Sequence, residues 1–258
     1  MSSNLEARTE KAARLLAGAR QAVALTGAGV STPSGIPDFR SPGSGLWEEH
    51  GPMEVASLSA FRRQPECFFD WIYPLAETLR SARPNPAHRA LASMEEAGYL
   101  RAVITQNIDG LHQQAGSKTV IELHGGLRTA TCIECGTRAP LDDRFDGLVS
   151  SGEVPRCPLC EGVLKPDVTL FGEGLPADVI EAAMGHAERA DLMLVVGTSL
   201  EVVPASRLPL LTYERGGRLL VVNLSPTQVD EIADVVIRED VAVALPQIAR
   251  SCVRGSRK

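Results

Sequence analysis

The sequence predicts an α/β fold built on a doubly wound parallel sheet. Short apolar, β-branched runs bounded by turn residues recur along the chain at Ala22–Leu25, Ala102–Thr105, Val120–Leu123, Leu192–Val196 and Leu219–Val222, with a weaker one at Asp234–Ile237. Helical patterns lie between several of these runs, at Glu6–Ala19, Pro86–Ala97 and Ala177–Ala190. Strands that alternate with helices favour parallel pairing, because each helix returns the chain to the end of the sheet where the previous strand began.

Two segments interrupt this alternation. Ile36–Pro84 is long and rich in proline, tryptophan and phenylalanine, which indicates a helical excursion over one edge of the sheet. Arg128–Pro166 contains four cysteines and few apolar runs, so we expect a small module with its own source of stability. We therefore predict a sheet domain at 1–35, 85–125 and 167–258, a helical insert at 36–84, and a separately stabilised cysteine module at 126–166.

Composition and charge exclude several classes of protein. The chain has 258 residues and a formal net charge of −6, with 44% hydrophobic and 22% charged residues. This acidic balance argues against general nucleic-acid binding, which usually needs a basic face. No apolar run approaches the roughly 20 residues that span a membrane, and the polar start Met1–Glu10 shows no signal peptide. We therefore expect a cytoplasmic protein with reduced cysteines and no membrane partner.

A glycine-rich turn follows the first apolar run. Small residues at Gly27, Ala28 and Gly29 let the backbone turn sharply after a buried strand and approach a phosphate. The amides that follow could donate to that phosphate from a helix N-terminus. A glycine turn alone is weak evidence for nucleotide binding. The continuation Pro37–Arg40 strengthens it, because a helix that only packs needs no carboxylate, aromatic ring and guanidinium beside a phosphate loop.

Four cysteines form two C-x2-C pairs, Cys132 with Cys135 and Cys157 with Cys160. A two-residue spacer lets both thiolates of a pair reach one ion, and two pairs complete the closed tetrahedral Zn(II) site of the structural kind. Two redox dithiols, or four unrelated buried thiols, are the alternatives. Because four protein ligands leave no position for substrate, we expect the metal to hold the module together and to take no part in chemistry.

Polar residues follow two of the predicted strands. Gln106, Asn107 and Asp109 come directly after the second apolar run, and His124 comes directly after the third. Ligands bind at the carboxyl ends of strands in open parallel sheets, and an imidazole with an ordinary pKa near 6.5 suits general-base catalysis. However, Asn and Asp are also common turn formers, and a single histidine is more often structural than catalytic.

Three further segments allow two interpretations each. Gly197–Ser199 and Asn223–Ser225 follow apolar strands, where short polar residues can meet ribose hydroxyls or phosphates, or can form helix caps and turns. Pro166–Glu173 is extended and mostly apolar, with the character of an exposed edge. It could be an ordinary loop, or it could lend its backbone to an extended peptide by strand addition.

These motifs resemble the sirtuins, the NAD-dependent protein-lysine deacylases, over roughly residues 10–245. They occur in the family's order: Gly27–Arg40, Gln106–His112, His124-Gly125, the four cysteines, Pro166–Glu173, and Gly197–Ser199 followed by Asn223–Ser225. The resemblance implies a Rossmann-like sheet that binds NAD and a smaller lobe made of a zinc-ribbon insert and the helical insert. It also implies that an acyl-lysine enters the cleft between them.

The resemblance assigns roles to individual residues. His124 would be the general base, and Asn107, Ile108 and Asp109 would form the pocket for the nicotinamide carboxamide. Gln106 would contact a ribose. The cofactor loop would contain Ala28, Thr32, Phe39 and Arg40, and the adenosine side would contain Gly197, Thr198, Ser199, Asn223, Leu224, Asp240 and Val241. The substrate peptide would bind at Thr169, Phe171 and Gly172; many relatives have an apolar residue in place of Thr169, and a backbone role would survive that change.

The implied reaction releases nicotinamide from NAD and transfers the acetyl group of an acetylated protein lysine to ADP-ribose. We expect a monomer with NAD and Zn(II) as cofactors. Protein mono-ADP-ribosylation and removal of longer acyl chains are alternatives that would use the same NAD site. A zinc-ribbon interaction or nucleic-acid module is a third, which the acidic net charge disfavours.

The helical insert predicts a preference among acyl groups. Sirtuins that remove succinyl or malonyl groups carry a Tyr-x-x-Arg pair on a helix that we expect here at Pro65–Leu79, and this chain has Ala76 three residues after Tyr73. A carboxylate buried there without a cation would lose its hydration uncompensated. The wall of the acyl site would be apolar, built from Phe68, Phe69, Trp71 and Ile72. We therefore expect acetyl-lysine to be favoured well over succinyl-lysine.

Overall fold

The structure is a computed structural model that describes residues 2–38, 51–141 and 153–255. The strands are β1 (Ala22–Thr26), β2 (Ala102–Thr105), β3 (Val120–Glu122), β4 (Gly125–Cys132), β5 (Arg138–Pro140), β6 (Leu164–Val168), β7 (Leu192–Val196), β8 (Arg218–Val222) and β9 (Val235–Ile237). The α-helices are α1 (Ser2–Gly18), α2 (Pro52–Val55), α3 (Leu58–Arg63), α4 (Pro65–Ser81), α5 (Pro86–Glu96), α6 (Leu111–Gln114), α7 (Ala177–Arg189), α8 (Leu208–Glu214) and α9 (Val241–Gly255).

Six strands form one parallel sheet in the order β3-β2-β1-β7-β8-β9. Every neighbouring pair in it is parallel. From β1 the chain adds β2 and β3 toward one edge of the sheet, and from β7 it adds β8 and β9 toward the other edge. The topological switch point therefore lies between β1 and β7. The predicted α/β class and all six predicted strands are confirmed, each within two residues of its expected bounds.

Helices cover both faces of the sheet. On one face α1, α5 and α9 pack through Leu16, Leu91 and Leu245, and on the other α7 and α8 pack through Ala187 and Leu208. All residues of β1, β2 and β7 are buried. Burial on both faces explains why these strands have continuous apolar runs and lack the polar alternation of a half-exposed strand.

The helical insert has its own aromatic core. Phe61 packs edge-on against Phe68 and Phe69, with ring centroids 5.2 and 5.8 Å apart. The Ser57 hydroxyl accepts a hydrogen bond from the Ala60 amide and so caps α3. This core also includes Leu170, which lies far along the chain, so the insert packs against the segment that follows β6.

The cysteine module is a three-stranded antiparallel sheet in the order β5-β4-β6. Gly125 at the start of β4 pairs with Val168 at the end of β6, so the chain enters and leaves the module at neighbouring positions. Gly125 has a φ of 72°, and a Cβ there would lie 2.0 Å from the Asp167 carbonyl oxygen. Only glycine therefore allows this close pairing. The predicted residue boundaries between the sheet domain and its two inserts stay a prediction.

Of the helices in the described ranges, none has both the length and the apolar character needed to cross a membrane.

Candidate active site

A cavity of about 1030 Å³ lies at the carboxyl ends of the central strands. Its walls come from the loops after β1, β2, β7 and β8, from α4 of the helical insert, and from residues 168–175, which begin at the last residue of β6. Open parallel sheets bind ligands at this edge, next to the switch point. The cavity therefore lies where the sequence places its polar motifs.

The floor of the cavity is a contact between two glycine turns. Gly29 donates its amide hydrogen to the Gly197 carbonyl oxygen at 2.8 Å, and Gly27 donates to Val196 at 3.1 Å. A Cβ on Gly197 would lie 2.4 Å from the Val30 nitrogen, so the loops after β1 and β7 meet as bare backbone. The missing side chains leave an open surface that a dinucleotide can approach closely.

The backbone of this turn corrects the expected use of the amides that follow it. The Val30 and Ser31 amides donate to the Gly27 and Ala28 carbonyl oxygens, at 3.0 and 2.9 Å, and not to a ligand. Two short 3-10 turns, Ala28–Val30 and Thr32–Ser34, replace the expected helix N-terminus. Within the described part of the chain, the Ala28 amide has no hydrogen-bond partner and lines the cavity. Sequence patterns alone could not show that the turn itself would take up these donors.

His124 follows β3 and is held by one directional hydrogen bond. Its Nδ1 lies 2.8 Å from the carbonyl oxygen of Gln106. Because a carbonyl oxygen only accepts, Nδ1 carries the proton and Nε2 keeps its lone pair. Burial lowers the pKa of His124 below its ordinary value, and the bond to Gln106 partly opposes that effect. The ring is therefore neutral near pH 7, with a basic nitrogen at the cavity.

A hydroxyl that the sequence analysis did not single out connects the residues after β2. The Ser31 hydroxyl donates to Asp109 Oδ2 at 2.7 Å and accepts from Asn107 Nδ2 at 3.0 Å. Asn107 Nδ2 also lies 3.2 Å from the Gly27 carbonyl oxygen, and Asp109 Oδ1 accepts from the Leu111 amide. The network fixes the side chains of Asn107 and Asp109, which line one end of the cavity.

Two buried histidines lie behind this network, and sequence reasoning missed both. His88 Nδ1 accepts from the Asn85 amide at 3.4 Å, which leaves Nε2 protonated and 3.4 Å from the Ser31 hydroxyl. Burial lowers the pKa of His88 to about 4, although the Asp109 carboxylate acts in the opposite direction. His112 packs edge-on against His88, with ring centroids 4.8 Å apart. The only sequence signal for His88 is its N3 position after the cap Asn85.

Gln106 links His124 to the far side of the cavity. Its side-chain amide donates to the Thr198 hydroxyl at 2.9 Å, and that hydroxyl also accepts from the Leu200 amide. Asn223 turns its amide group onto the Ser225 carbonyl oxygen at 2.8 Å. The cavity is lined by the predicted cofactor residues Ala28, Thr32, Gln106, Asn107, Ile108, Asp109, His124, Gly197, Thr198, Ser199, Asn223, Leu224, Asp240 and Val241. Phe39 and Arg40 lie outside the described residues.

The predicted substrate residues lie on the cavity wall after β6. The Thr169 amide donates to the His124 carbonyl oxygen at 2.9 Å, which joins this segment to the residue that follows β3. The Phe171 amide donates to Ala56, and its carbonyl oxygen accepts from Leu58, so the backbone of Phe171 is occupied by the helical insert. Thr169, Phe171 and Gly172 all line the cavity. The expectation of an exposed edge is correct only for part of the segment, because Val168 and Leu170 are buried.

The acyl wall predicted on α4 needs one correction. Phe68, Trp71 and Ile72 line the cavity as expected. Phe69 does not share that position; it is 2% exposed and packs against Phe61 and Phe68 inside the insert. Leu75 and Leu79 line the cavity instead, because they share a helical face with Phe68 and Ile72.

The four cysteines converge as the spacing predicts. Their Sγ atoms all lie within 4.8 Å of one another, with Cys132 and Cys160 3.5 Å apart and Cys135 and Cys157 3.6 Å apart. Thiolates about 2.3 Å from a tetrahedral Zn(II) would be separated by a similar distance. The donor set therefore fits a closed structural zinc site, and no other group of potential metal ligands occurs among the described residues.

The sequence matches one family of known proteins. A family model described as the Sir2 family matches residues 27–204. The NAD-dependent protein deacylase of Thermococcus kodakarensis is 45% identical over 241 residues, which cover 93% of each chain. The NAD-dependent protein deacetylase of Sulfurisphaera tokodaii is 46% identical over 237 residues, which cover 92% of this chain and 93% of that protein.

Solved structures of similar proteins have the same fold. One, described as a structural basis for the mechanism and regulation of Sir2 enzymes, gives a TM-score of 0.91 at 42% identity and covers 96% of this chain and 99% of its own. A Sir2 variant with a deacetylated p53 peptide and 3′-O-acetyl ADP ribose gives a TM-score of 0.87 at 42% identity and covers 96% of this chain and 98% of its own.

Proposed function

This chain belongs to the Sir2 family, and we propose that it is an NAD-dependent protein-lysine deacetylase. It cleaves nicotinamide from NAD and, with the consumption of one water, transfers the acetyl group of acetyl-lysine to ADP-ribose, giving the free lysine, nicotinamide and O-acetyl-ADP-ribose. The observation that carries the proposal is one shared cavity. The basic nitrogen of His124, the Asn107–Ser31–Asp109 network and the bare glycine floor all face it.

The residues that line the cavity have the chemistry to bind each part of NAD. The glycine turns at Gly27, Gly29 and Gly197 leave room for a pyrophosphate next to the backbone. Thr198 and Asn223 suit the adenosine side, since both follow strands at the far side of the switch point. The nicotinamide end is suited to Asn107 and Asp109, because the Asn107 amide oxygen and the Asp109 carboxylate can both accept from the NH2 of a carboxamide group. The bound dinucleotide would supply an electrophilic ribose carbon.

The chain's own groups would orient the reactants and move one proton. Asn107 and Asp109, fixed by Ser31, would hold the carboxamide in one orientation. Holding the acetyl oxygen in contact with the ribose carbon makes a weak nucleophile effective. His124 Nε2 would then take the proton of a ribose hydroxyl, because Nδ1 is already committed to Gln106. The apolar groups of α4 would exclude water from the acyl group.

The partner we propose is an acetylated protein whose lysine enters as part of an extended peptide. The free backbone groups after β6 support this, since strand addition gives affinity with little demand on sequence. Zn(II) would bind Cys132, Cys135, Cys157 and Cys160 and stabilise the module. We further propose that the protein is a cytoplasmic monomer, and its acidic composition supports the proposal that it binds neither nucleic acid nor membrane.

Nicotinamide release tests this function directly. Purified protein is incubated with NAD and an acetyl-lysine peptide, with the same peptide unacetylated as the matched control, and the products are identified by mass spectrometry. We expect nicotinamide, deacetylated peptide and O-acetyl-ADP-ribose in equal amounts, and only with the acetylated peptide. Release of nicotinamide at the same rate without it would instead favour a hydrolase, and a gain of ADP-ribose on the peptide a transferase.

A further inference from the structure

A partly buried lysine holds the segment that follows β6. Lys165 is the second residue of that strand, and its ammonium group donates to the carbonyl oxygens of Pro166 at 3.2 Å and Val168 at 2.9 Å. The same group lies 3.1 Å from Glu173 Oε2. Side-chain exposure is 15% for the lysine and 20% for the glutamate, so the pair is screened from water more than a surface ion pair.

Glu173 stabilises the turn at the other end of the segment. Its Oε2 accepts from the Leu170 amide at 2.7 Å, and its own amide donates to the Leu170 carbonyl oxygen at 3.0 Å. Gly172, between them, has a φ of 85°, which a turn of this kind requires at one position. One lysine and one glutamate therefore fix both the extended part and the turn of the segment.

We call Lys165 and Glu173 together the clamp. Around the segment that the clamp holds, some backbone groups have hydrogen-bond partners and others do not. Thr169 and Phe171 donate their amides to His124 and Ala56, and Phe171 also accepts from Leu58. Among the residues that the structure describes, the Thr169 carbonyl oxygen and both backbone groups of Gly172 have no hydrogen-bond partner. Thr169 and Gly172 line the cavity. An extended chain beside them could donate to the Thr169 carbonyl oxygen and accept from the Gly172 amide.

We propose that Lys165 and Glu173 are positioning residues for the peptide substrate. They act by holding the Thr169 carbonyl oxygen and the Gly172 amide in the geometry that receives an extended acyl-lysine peptide. This inference rests on the proposed function, and it adds a determinant of peptide affinity that lies apart from the reacting atoms. The glycine floor and the Asn107 network are on other loops, so the clamp contributes to peptide binding and not to binding of the dinucleotide.

Steady-state kinetics of matched variants test the clamp. Lys165→Met keeps the aliphatic stem and removes the three contacts of the ammonium group, while Lys165→Arg keeps a cation. We expect Lys165→Met to raise the peptide KM about 10-fold or more, with kcat and the KM for NAD changed by about 2-fold or less. Lys165→Arg should return most of the peptide affinity. Glu173→Gln, which can still accept from Leu170, should have a smaller effect than Glu173→Ala.

Arg215→Met is the control, because it removes an ion pair with Glu188 of similar length on the far helices. It should leave all parameters unchanged. Hydrogen exchange of residues 166–174 gives a readout without substrate, and Lys165→Met should exchange faster there. An unchanged peptide KM and unchanged exchange in a folded Lys165→Met protein would overturn the clamp. If the wild-type protein deacetylates no peptide, the proposed function fails, and the exchange measurement alone decides whether the clamp holds the segment.

Discussion

The Nδ1 atom of His124 donates a hydrogen bond to the backbone carbonyl oxygen of Gln106 at 2.8 Å. The same glutamine donates its side-chain amide to Thr198 across the cavity. The proposed catalytic base is thus connected through one residue to the loop after β7. Its tautomer and its orientation are set by backbone that is fixed before any ligand binds.

This bond leads to a prediction for the base itself. His124→Ala should remain folded and lose acetyl transfer by about 10²–10⁴-fold, the usual contribution of a general base. Nicotinamide exchange should be reduced less if bond cleavage precedes proton removal. The measurement is kcat for deacetylation beside the exchange rate of labelled nicotinamide. His186→Ala on α7 is the control, and wild-type turnover in His124→Ala would remove this residue from the mechanism.

Asn107→Ala should impair an earlier step. The substitution removes the amide that donates to both Ser31 and the Gly27 carbonyl oxygen, so the pocket for the carboxamide loses its orientation. We expect nicotinamide exchange and deacetylation to fall together, by about 10²-fold. Asn4→Ala on α1, far from the cavity, should have no effect. Loss of deacetylation with normal nicotinamide exchange would contradict this assignment.

Zinc should be required for the order of the cysteine module. About one Zn(II) per chain should copurify, and Cys157→Ala should release it and unfold the module, because metal binding supplies the folding free energy of such small sites. Cys67→Ala, which changes an exposed thiol on α4, is the matched control. Metal content and limited proteolysis report the outcome. A stable, active Cys157→Ala protein that lacks zinc would contradict a structural role.

Acyl preference should follow the apolar lining of α4. The wall of the acyl site is formed by Phe68, Trp71 and Ile72, and the described residues that line the cavity include no lysine or arginine. A succinyl carboxylate would therefore lose its hydration without gaining a cationic partner. We expect kcat/KM for acetyl-lysine to exceed that for succinyl-lysine by at least about 100-fold on one peptide. Leu75 and Leu79 extend the same apolar wall, so we expect longer neutral acyl chains to be accepted as well. Equal values for the acetyl and succinyl peptides would show that a cation reaches the site.

The buried histidines predict how stability depends on pH. Burial, with the neighbouring His88, lowers the pKa of His112 to about 3 in the folded protein, whereas the unfolded chain titrates near 6.5. The unfolded state therefore binds a proton that the folded state does not, and the free energy of unfolding falls as the pH drops below 6.5. At pH 5 this group alone should cost about 2 kcal/mol relative to pH 7.

Urea unfolding of His112→Gln at pH 7, 6 and 5 checks this prediction. A glutamine amide can still donate to Thr26, as His112 Nε2 does at 2.9 Å, and it does not titrate. Its stability should therefore vary less with pH than that of the wild-type protein. His186→Gln, at a more exposed site, should keep most of the wild-type dependence. Parallel pH profiles for His112→Gln and the wild type would refute the assignment.

Strand positions and the zinc ligands could be predicted from the sequence because each depends on a local pattern. Runs such as Leu192–Val196 are apolar throughout since both faces are buried, and a C-x2-C spacing brings two thiolates to one point without help from the rest of the fold. The positions of Asn107 and His124 could be predicted for a related reason. Parallel strands bring their carboxyl ends to one edge of the sheet.

Contacts between distant parts of the chain could not be predicted. Ser31 and Asp109 are joined only because the loops after β1 and β2 lie side by side, and nothing in either loop signals the partner. The Gly27 and Gly29 amides bind the end of β7 and the loop after it for the same reason, and neither loop signals that contact by itself. Phe69 is as apolar as the residues that line the acyl site, but its position on α4 places it against Phe61, in the core of the helical insert.

The pairing of Gly125 with Val168 has a consequence for how the protein can change. Two antiparallel strands carry the chain out of the sheet and back at a single point, so the ends of the cysteine module remain adjacent whatever lies between them. A module joined in this way can be lengthened, shortened or replaced without rerouting any strand of the larger sheet. The cysteine module is thus an insertion whose two ends are fixed next to each other. A chimera that exchanges the residues between Gly125 and Val168 should keep the parallel sheet intact.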